Sequence, residues 1–131
     1  MKIYCTPCCK EKRRNKELIE SNKRYISDRI KAIYNKGKKD NVGFRIFSGK
    51  FGLLKPEEKI PWYDYKLTME RMPNLSKKVK KQLSSQKIDK VVFFTENLRK
   101  DLELKPYLAL IKDCCNDKNI SLEIKYIKEK S

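Results

Sequence analysis

The sequence predicts a single α/β domain over residues 1–131, with a parallel-rich central sheet of about four strands and helices on both faces. Three observations predict it. Short β-branched and aromatic runs alternate with longer stretches of helical period. The run Val91, Val92, Phe93, Phe94 is continuously apolar, which suits a strand buried on both faces. The chain of 131 residues, 39% hydrophobic, suits one core and shows no internal repeat, linker or low-complexity segment.

The elements follow in order. Residues 2–6 (KIYCT) read as a short buried strand that Pro7 ends. A helix is expected from about residues 10–15 onward, because Leu18, Ile19, Tyr25, Ile26, Ile30, Ile33 and Tyr34 recur at helical spacing. It ends in the polar stretch 36–41, where Gly37 is a C-cap candidate. Residues 42–47 form the second strand and 48–67 a long loop. A second helix is expected near Asp64 or Leu67. Pro73 would break it, and another would run over 75–85 with Leu75, Val79 and Leu83 on one face. Residues 88–94 form the third strand. Thr95, Glu96 and Asn97 make a turn and N-cap region. A helix then carries Leu102, Leu104, Leu108, Leu110 and Ile111 to Cys114 and Cys115, with Pro106 at the start of its main part. In residues 120–127, Leu122, Ile124 and Tyr126 alternate with Glu123 and Lys125, as in a strand with one exposed face. Residues 128–131 read as a frayed tail.

Composition narrows the function. Lys and Arg number 33 against 17 Asp and Glu, a net charge of +16. That excess favours a polyanionic partner, nucleic acid before an acidic membrane surface, although solvated lysines have the same composition. No apolar run approaches the ~20 residues of a membrane span, and the start MKIYCTPCC lacks the long apolar region of a signal peptide, so a cytoplasmic protein is expected. Histidine is absent, which removes Ser-His-Asp and Cys-His catalysis and histidine-ligated metal sites. Chemistry must use Cys, Lys, Tyr, Asp, Glu or backbone groups. The five cysteines are odd in number, which argues against a disulfide framework. Cys5, Cys8 and Cys9 with Cys114 and Cys115 hold enough thiols for zinc or an iron–sulfur cluster, or for redox chemistry. Adjacent cysteines seldom ligate one metal, however, so neither a metal nor a cofactor is expected.

The most informative stretch is 42–67, VGFRIFSGKFGLLKPEEKIPWYDYKL. Gly49 and Gly52 allow a tight turn and close backbone approach. Trp62, Tyr63 and Tyr65 with Asp64 are a costly composition for a mere connector; they form either a functional loop or a lid folded on the core. The run Ser48-Gly49-Lys50-Phe51-Gly52-Leu53-Leu54-Lys55-Pro56, then Ile60, Tyr63-Asp64 and Leu67, resembles the signature of the YaaA-like proteins. These are the bacterial peroxide-stress proteins and a set of small relatives. The small relatives also begin with a strand ending in a Cys-rich turn, to which Cys8-Cys9-Lys10-Glu11-Lys12 is similar. Pro7-Cys8 followed by Lys12 is similar to a Pro-Cys-x-x-x-Lys element in a domain of archaeosine synthase, a tRNA-modifying enzyme. The resemblance covers the first two-thirds of the chain, and the full-length stress proteins are much longer. It implies a nucleic-acid connection: DNA binding, stress protection or base modification. If the chain is an enzyme, it implies base or nucleoside processing, with Cys8 and Asp64 as candidate catalytic groups and Ser48 and Gly49 holding the substrate.

An independent rule points to the same place. Open α/β sheets bind ligands beyond the carboxyl ends of their strands. Those ends carry Thr6, Cys8 and Cys9, then Ser48, Gly49, Lys50 and Gly52, then Thr95, Glu96 and Asn97. The 48–50 turn is either an anion- or base-binding turn or an ordinary tight turn; its spacing is not that of a Walker A loop. Lys12 and Arg13, in the first turns of the expected helix, either hold a phosphate or form a solvated basic face. Asp64 either meets a base or ribose, acts as a general base, or caps the next helix. Tyr63, with Trp62 and Tyr65, either stacks on a base or packs in the core. The expected partner is therefore a nucleotide, nucleobase or nucleic acid. The rival is a non-catalytic basic DNA- or RNA-binding module.

Overall fold

Ile3, Cys5 and Thr6 are fully buried because their strand, β1 (Lys2–Pro7), is the centre of the sheet. The structure, a computed structural model, describes residues 1–96 and 102–127. Beside β1 lie β3 (Gly43–Ser48) and β6 (Lys90–Thr95), both parallel to it, with Tyr4 opposite Phe44 and Val92. β7 (Ser121–Tyr126) adds parallel to β6, and β4 (Gly52–Leu54) adds antiparallel to β3. The order is β4-β3-β1-β6-β7, a mixed and mostly parallel sheet. A separate two-stranded pair joins β2 (Ile19–Glu20) to β5 (Lys59–Ile60).

The sheet has five strands where about four are expected, because part of the expected loop is a hairpin arm. Gly52 takes φ +74°, which turns the chain back so that Ser48 faces Gly52 and Ile46 faces Leu54. The side chain of Gln82 then braces this arm. It accepts from Leu53 N at 2.8 Å and donates to the carbonyls of Phe51 and Leu53.

The long helix expected from residues 10–15 does not form. The chain instead runs irregularly to β2, makes one turn as α1 (Ser21–Arg24), and only then enters α2 (Asp28–Asp40). Ser27 starts α2 as an N-cap, accepting from Ile30 N at 3.2 Å. Leu18 and Ile26, counted in the apolar stripe, are 57% and 51% exposed. Gly37 is not the cap. Asn41 closes α2 in the left-handed region at φ +56°, while Gly37 lies within the last turns, where a Cβ would stand 2.9 Å from Val42 O.

No helix begins at Asp64 or Leu67. After a single 3-10 turn (Met69–Arg71), α3 spans Met72–Ser85. Pro73 opens this helix rather than breaking it, since a first-turn residue needs no intrahelical donor. Leu75, Val79 and Leu83 are buried as their spacing requires. Another 3-10 turn (Leu102–Leu104) leads into α4 (Lys105–Asp117), with Pro106 in its first turn as expected. α2 packs on β1 and β3, α3 on β4 and α4, and α4 on β7. Tyr4 of β1 donates to Asp40 of α2 at 2.6 Å, and Cys5 adjoins Cys115 of α4. On β7, Leu122 and Ile124 are half-buried as expected, but Tyr126 is exposed. Asn97 and the expected tail 128–131 lie outside the described residues.

Truncating Leu83, fully buried under the sheet, is expected to lower stability by about 2–5 kcal/mol in Leu83→Ala. Exposed Lys81→Ala on the same helix should stay within about 0.5 kcal/mol. Urea denaturation of the two variants checks both.

Candidate functional site at the carboxyl edge of the sheet

Cys8 N donates to Phe47 O at 2.8 Å, which carries the β1–β3 pairing one residue past β1. Cys8 and Ser48 are thereby brought to the same edge. Ser48 Oγ accepts from the backbone N–H groups of Lys50 and Phe51 at 3.1 and 3.0 Å, holding the turn, and shares a hydrogen bond of 3.0 Å with the Tyr63 hydroxyl. Tyr63 is hydrogen-bonded in turn to the Tyr25 hydroxyl. Cys8 Sγ donates to the Tyr107 hydroxyl at 3.4 Å. A Cβ on Gly49 would lie 2.7 Å from that same hydroxyl, so only glycine admits Tyr107 here.

The result is a buried cluster of one thiol and four hydroxyls, drawn from the residues just past β1 and α1, from β3, the 61–68 segment and α4. Burial raises the pKa of all three tyrosines well above the usual 10.0, with the adjoining Cys8 adding to the effect. The tyrosines are therefore neutral donors and acceptors at physiological pH. Two cations stand over the Tyr63 ring: Lys12 Nζ at 4.6 Å and Lys50 Nζ at 5.7 Å from its centroid.

The expected site residues divide. Cys8, Ser48, Tyr63, Lys12 and Lys50 are gathered at the cluster, and Gly49 forms its wall. Lys12 and Arg13 do not lie at a helix N-terminus. Lys12 bridges Tyr25 in an antiparallel pairing, and Arg13 N donates to Arg24 O at 2.7 Å. Cys9 is half-buried with its thiol directed at the carbonyls of Glu11 and Ile26; burial pushes that thiol up to about 11, against the pull of Arg29 and Lys12. Thr6 is a buried strut: its hydroxyl donates to Phe94 O at 2.8 Å and accepts from Arg29 Nη1 at 2.7 Å. Gly52 serves the hairpin, and a Cβ there would strike Gln82. Glu96 is half-exposed, 3.6 Å from Arg29 Nε. Asp64 is exposed and, among the described residues, has no hydrogen bond or ion pair. It neither joins Cys8 nor caps a helix, because the extended chain that turns Tyr63 inward turns its neighbour outward.

Three residues of this edge escaped sequence reasoning. Tyr25 counts in the apolar helical stripe, and Tyr107 and Arg29 carry no motif. Arg29 ties Thr6, Pro7 O and Glu96 across two strand ends. A fourth, Arg24, is fully buried. Its guanidinium donates to the carbonyls of Arg13, Asn15, Glu17 and Ile60 at 2.7–3.0 Å. It pins the irregular 10–20 segment against β5 and so places both Lys12 and Tyr63.

Among the described residues, no three Cys, Asp or Glu side chains converge as a metal site would require, and the five cysteines are free. No helix among them is long and apolar enough to cross a membrane. A scan of family models, a search of curated proteins and a search of solved structures each found no match.

Two outcomes are expected. The three cluster tyrosines, of seven in the chain, should not ionise at their usual value of 10.0. With a folded pKa above the unfolded one, their contribution to stability is complete below pH 10.0 and is lost as pH rises beyond it. Tyrosinate absorbance against pH should show the three cluster tyrosines appearing only on unfolding. Second, Arg24→Ala should cost about 3 kcal/mol and open the 10–20 segment to trypsin, because one buried and three part-buried carbonyls lose their donor.

Proposed function

We propose that this chain is a YaaA-like small basic protein that binds a nucleotide, nucleobase or nucleic-acid strand at the carboxyl edge of its sheet, with a role in nucleic-acid modification or stress protection. The observation that carries the reading is the buried Cys8–Tyr107 and Ser48–Tyr63–Tyr25 cluster flanked by Lys12 and Lys50. Neutral hydroxyls and a thiol suit the donor and acceptor edge of a base, and the lysines suit its phosphate. The net charge of +16 supports the same class of partner. Free cysteines fit a cytoplasmic setting. The reading also takes the sheet as covered on both faces. The β1-to-β3 crossover runs in the opposite direction from β3-to-β6 and β6-to-β7, so right-handed connections put α2 on one face and α3 and α4 on the other.

If the chain catalyses a base- or nucleoside-processing step, Cys8 is the group placed for it. Asp64 lies exposed and apart, which favours the second reading, a non-catalytic module whose binding is charge-driven.

Thermal denaturation against nucleotides, nucleobases and short DNA and RNA oligomers, at low and high salt, separates the two. A ligand at [L] = 100 Kd that binds only the folded state should stabilise by about 2.7 kcal/mol. For the pocket, one small ligand stabilises regardless of salt, and Cys8→Ala removes the effect. For the charge-driven module, only oligomers stabilise, high salt abolishes the effect, and Cys8→Ala and Asp64→Asn bind as the parent does. Absence of any stabilisation at low salt would refute both.

A further inference from the structure

Beside the tyrosine cluster, the backbone of Gly49 and the side chain of Lys50 form one wall of a cavity of about 170 Å³. Tyr65, Glu70, Arg71 and Lys78 line the rest, with Asn74 and Leu75 of α3 between them. Three cations and one carboxylate thus face a space well below the ~300–1,000 Å³ of a pocket that swallows a whole small ligand. Arg71 is held in place: its guanidinium lies 4.2 Å from the Tyr65 ring centroid, and Nη1 donates to Lys66 O at 2.9 Å. That leaves other N–H groups of the fork for a ligand.

Resting on the nucleotide or nucleic-acid reading above, we propose that this cavity seats a terminal phosphate, the monoester of a nucleotide or of a strand end, while the rest of the ligand extends toward Tyr63 and Ser48. Charge selects a monoester over an internal diester. The cavity is large enough for one phosphate group and too small for a whole nucleotide. The excess of two positive charges among the lining residues matches a phosphate monoester, which carries about −1.5 to −2 at pH 7, better than a diester of single charge.

The test compares end-phosphorylated and end-dephosphorylated forms of one single-stranded oligomer, each as DNA and RNA, with mononucleotide against nucleoside as a second pair and inorganic phosphate as competitor. The phosphorylated member should bind about tenfold more tightly, as expected for charge-assisted hydrogen bonds. Phosphate should erase the difference. Lys78→Gln and Arg71→Gln should each remove the preference, whereas Lys118→Gln, an equal loss of charge at the exposed end of α4, should keep it. Equal affinity for both members of each pair, or the same loss in all three variants, would overturn the cavity's role while leaving the nucleic-acid reading standing. No binding of any oligomer or nucleotide at low salt would overturn both.

Discussion

A fully buried guanidinium with only neutral acceptors decides the shape of the candidate site. Arg24 takes the carbonyls of residues 13, 15, 17 and 60 from two separate segments that would otherwise carry unsatisfied backbone groups. A buried cation is costly, and here carbonyl dipoles offset the cost. Because the same segments carry Lys12 and lead into Tyr63, the arginine positions one wall of the tyrosine cluster.

The opposite walls come from the sheet. Parallel strands end on the same edge, so β1, β3 and β6 deliver Cys8, Ser48 and Glu96 there. Packing then sorts these groups. Thr6 and Glu96 are tied through Arg29 into a strut across two strand ends, whereas Cys8 and Ser48 meet the hydroxyls of Tyr107 and Tyr63. Burial keeps those hydroxyls protonated, so the cluster is a neutral hydrogen-bonding surface set among lysines. That combination differs from a catalytic dyad, in which a titratable base adjoins the nucleophile.

Much of the sheet was legible in the residues. The runs KIYCT and VVFF, the Leu75, Val79 and Leu83 stripe, and Pro106 at the start of its helix all lie where their periodicity puts them. The convergence of Cys8 and Ser48 was legible too, since strand ends and the rule for open α/β sheets suffice to place them together. The failures share a cause. Apolar residues at helical spacing between positions 18 and 34 implied one helix, but the backbone carbonyls of 13–17 found a better donor in the Arg24 side chain than in a helical N–H. Likewise the 48–67 stretch read as a loop, because a three-residue antiparallel arm braced by the distant Gln82 has no local signature. Tyr107 joins Cys8 across 99 positions of sequence, a separation no motif spans.

The sequence by itself determined the alternation of strands and helices, the basic character of the surface, the exclusion of histidine chemistry and the strand ends at which polar residues collect. These follow from periodicity and composition, which are local. Only the tertiary structure decided that Tyr25, Tyr63 and Tyr107 share one polar cluster, that Asp64 faces away from it, and that Lys50, Arg71 and Lys78 surround one small cavity. Those outcomes depend on which buried donors and acceptors find partners across the whole chain, and side chains settle that contest only once the sheet and helices are packed.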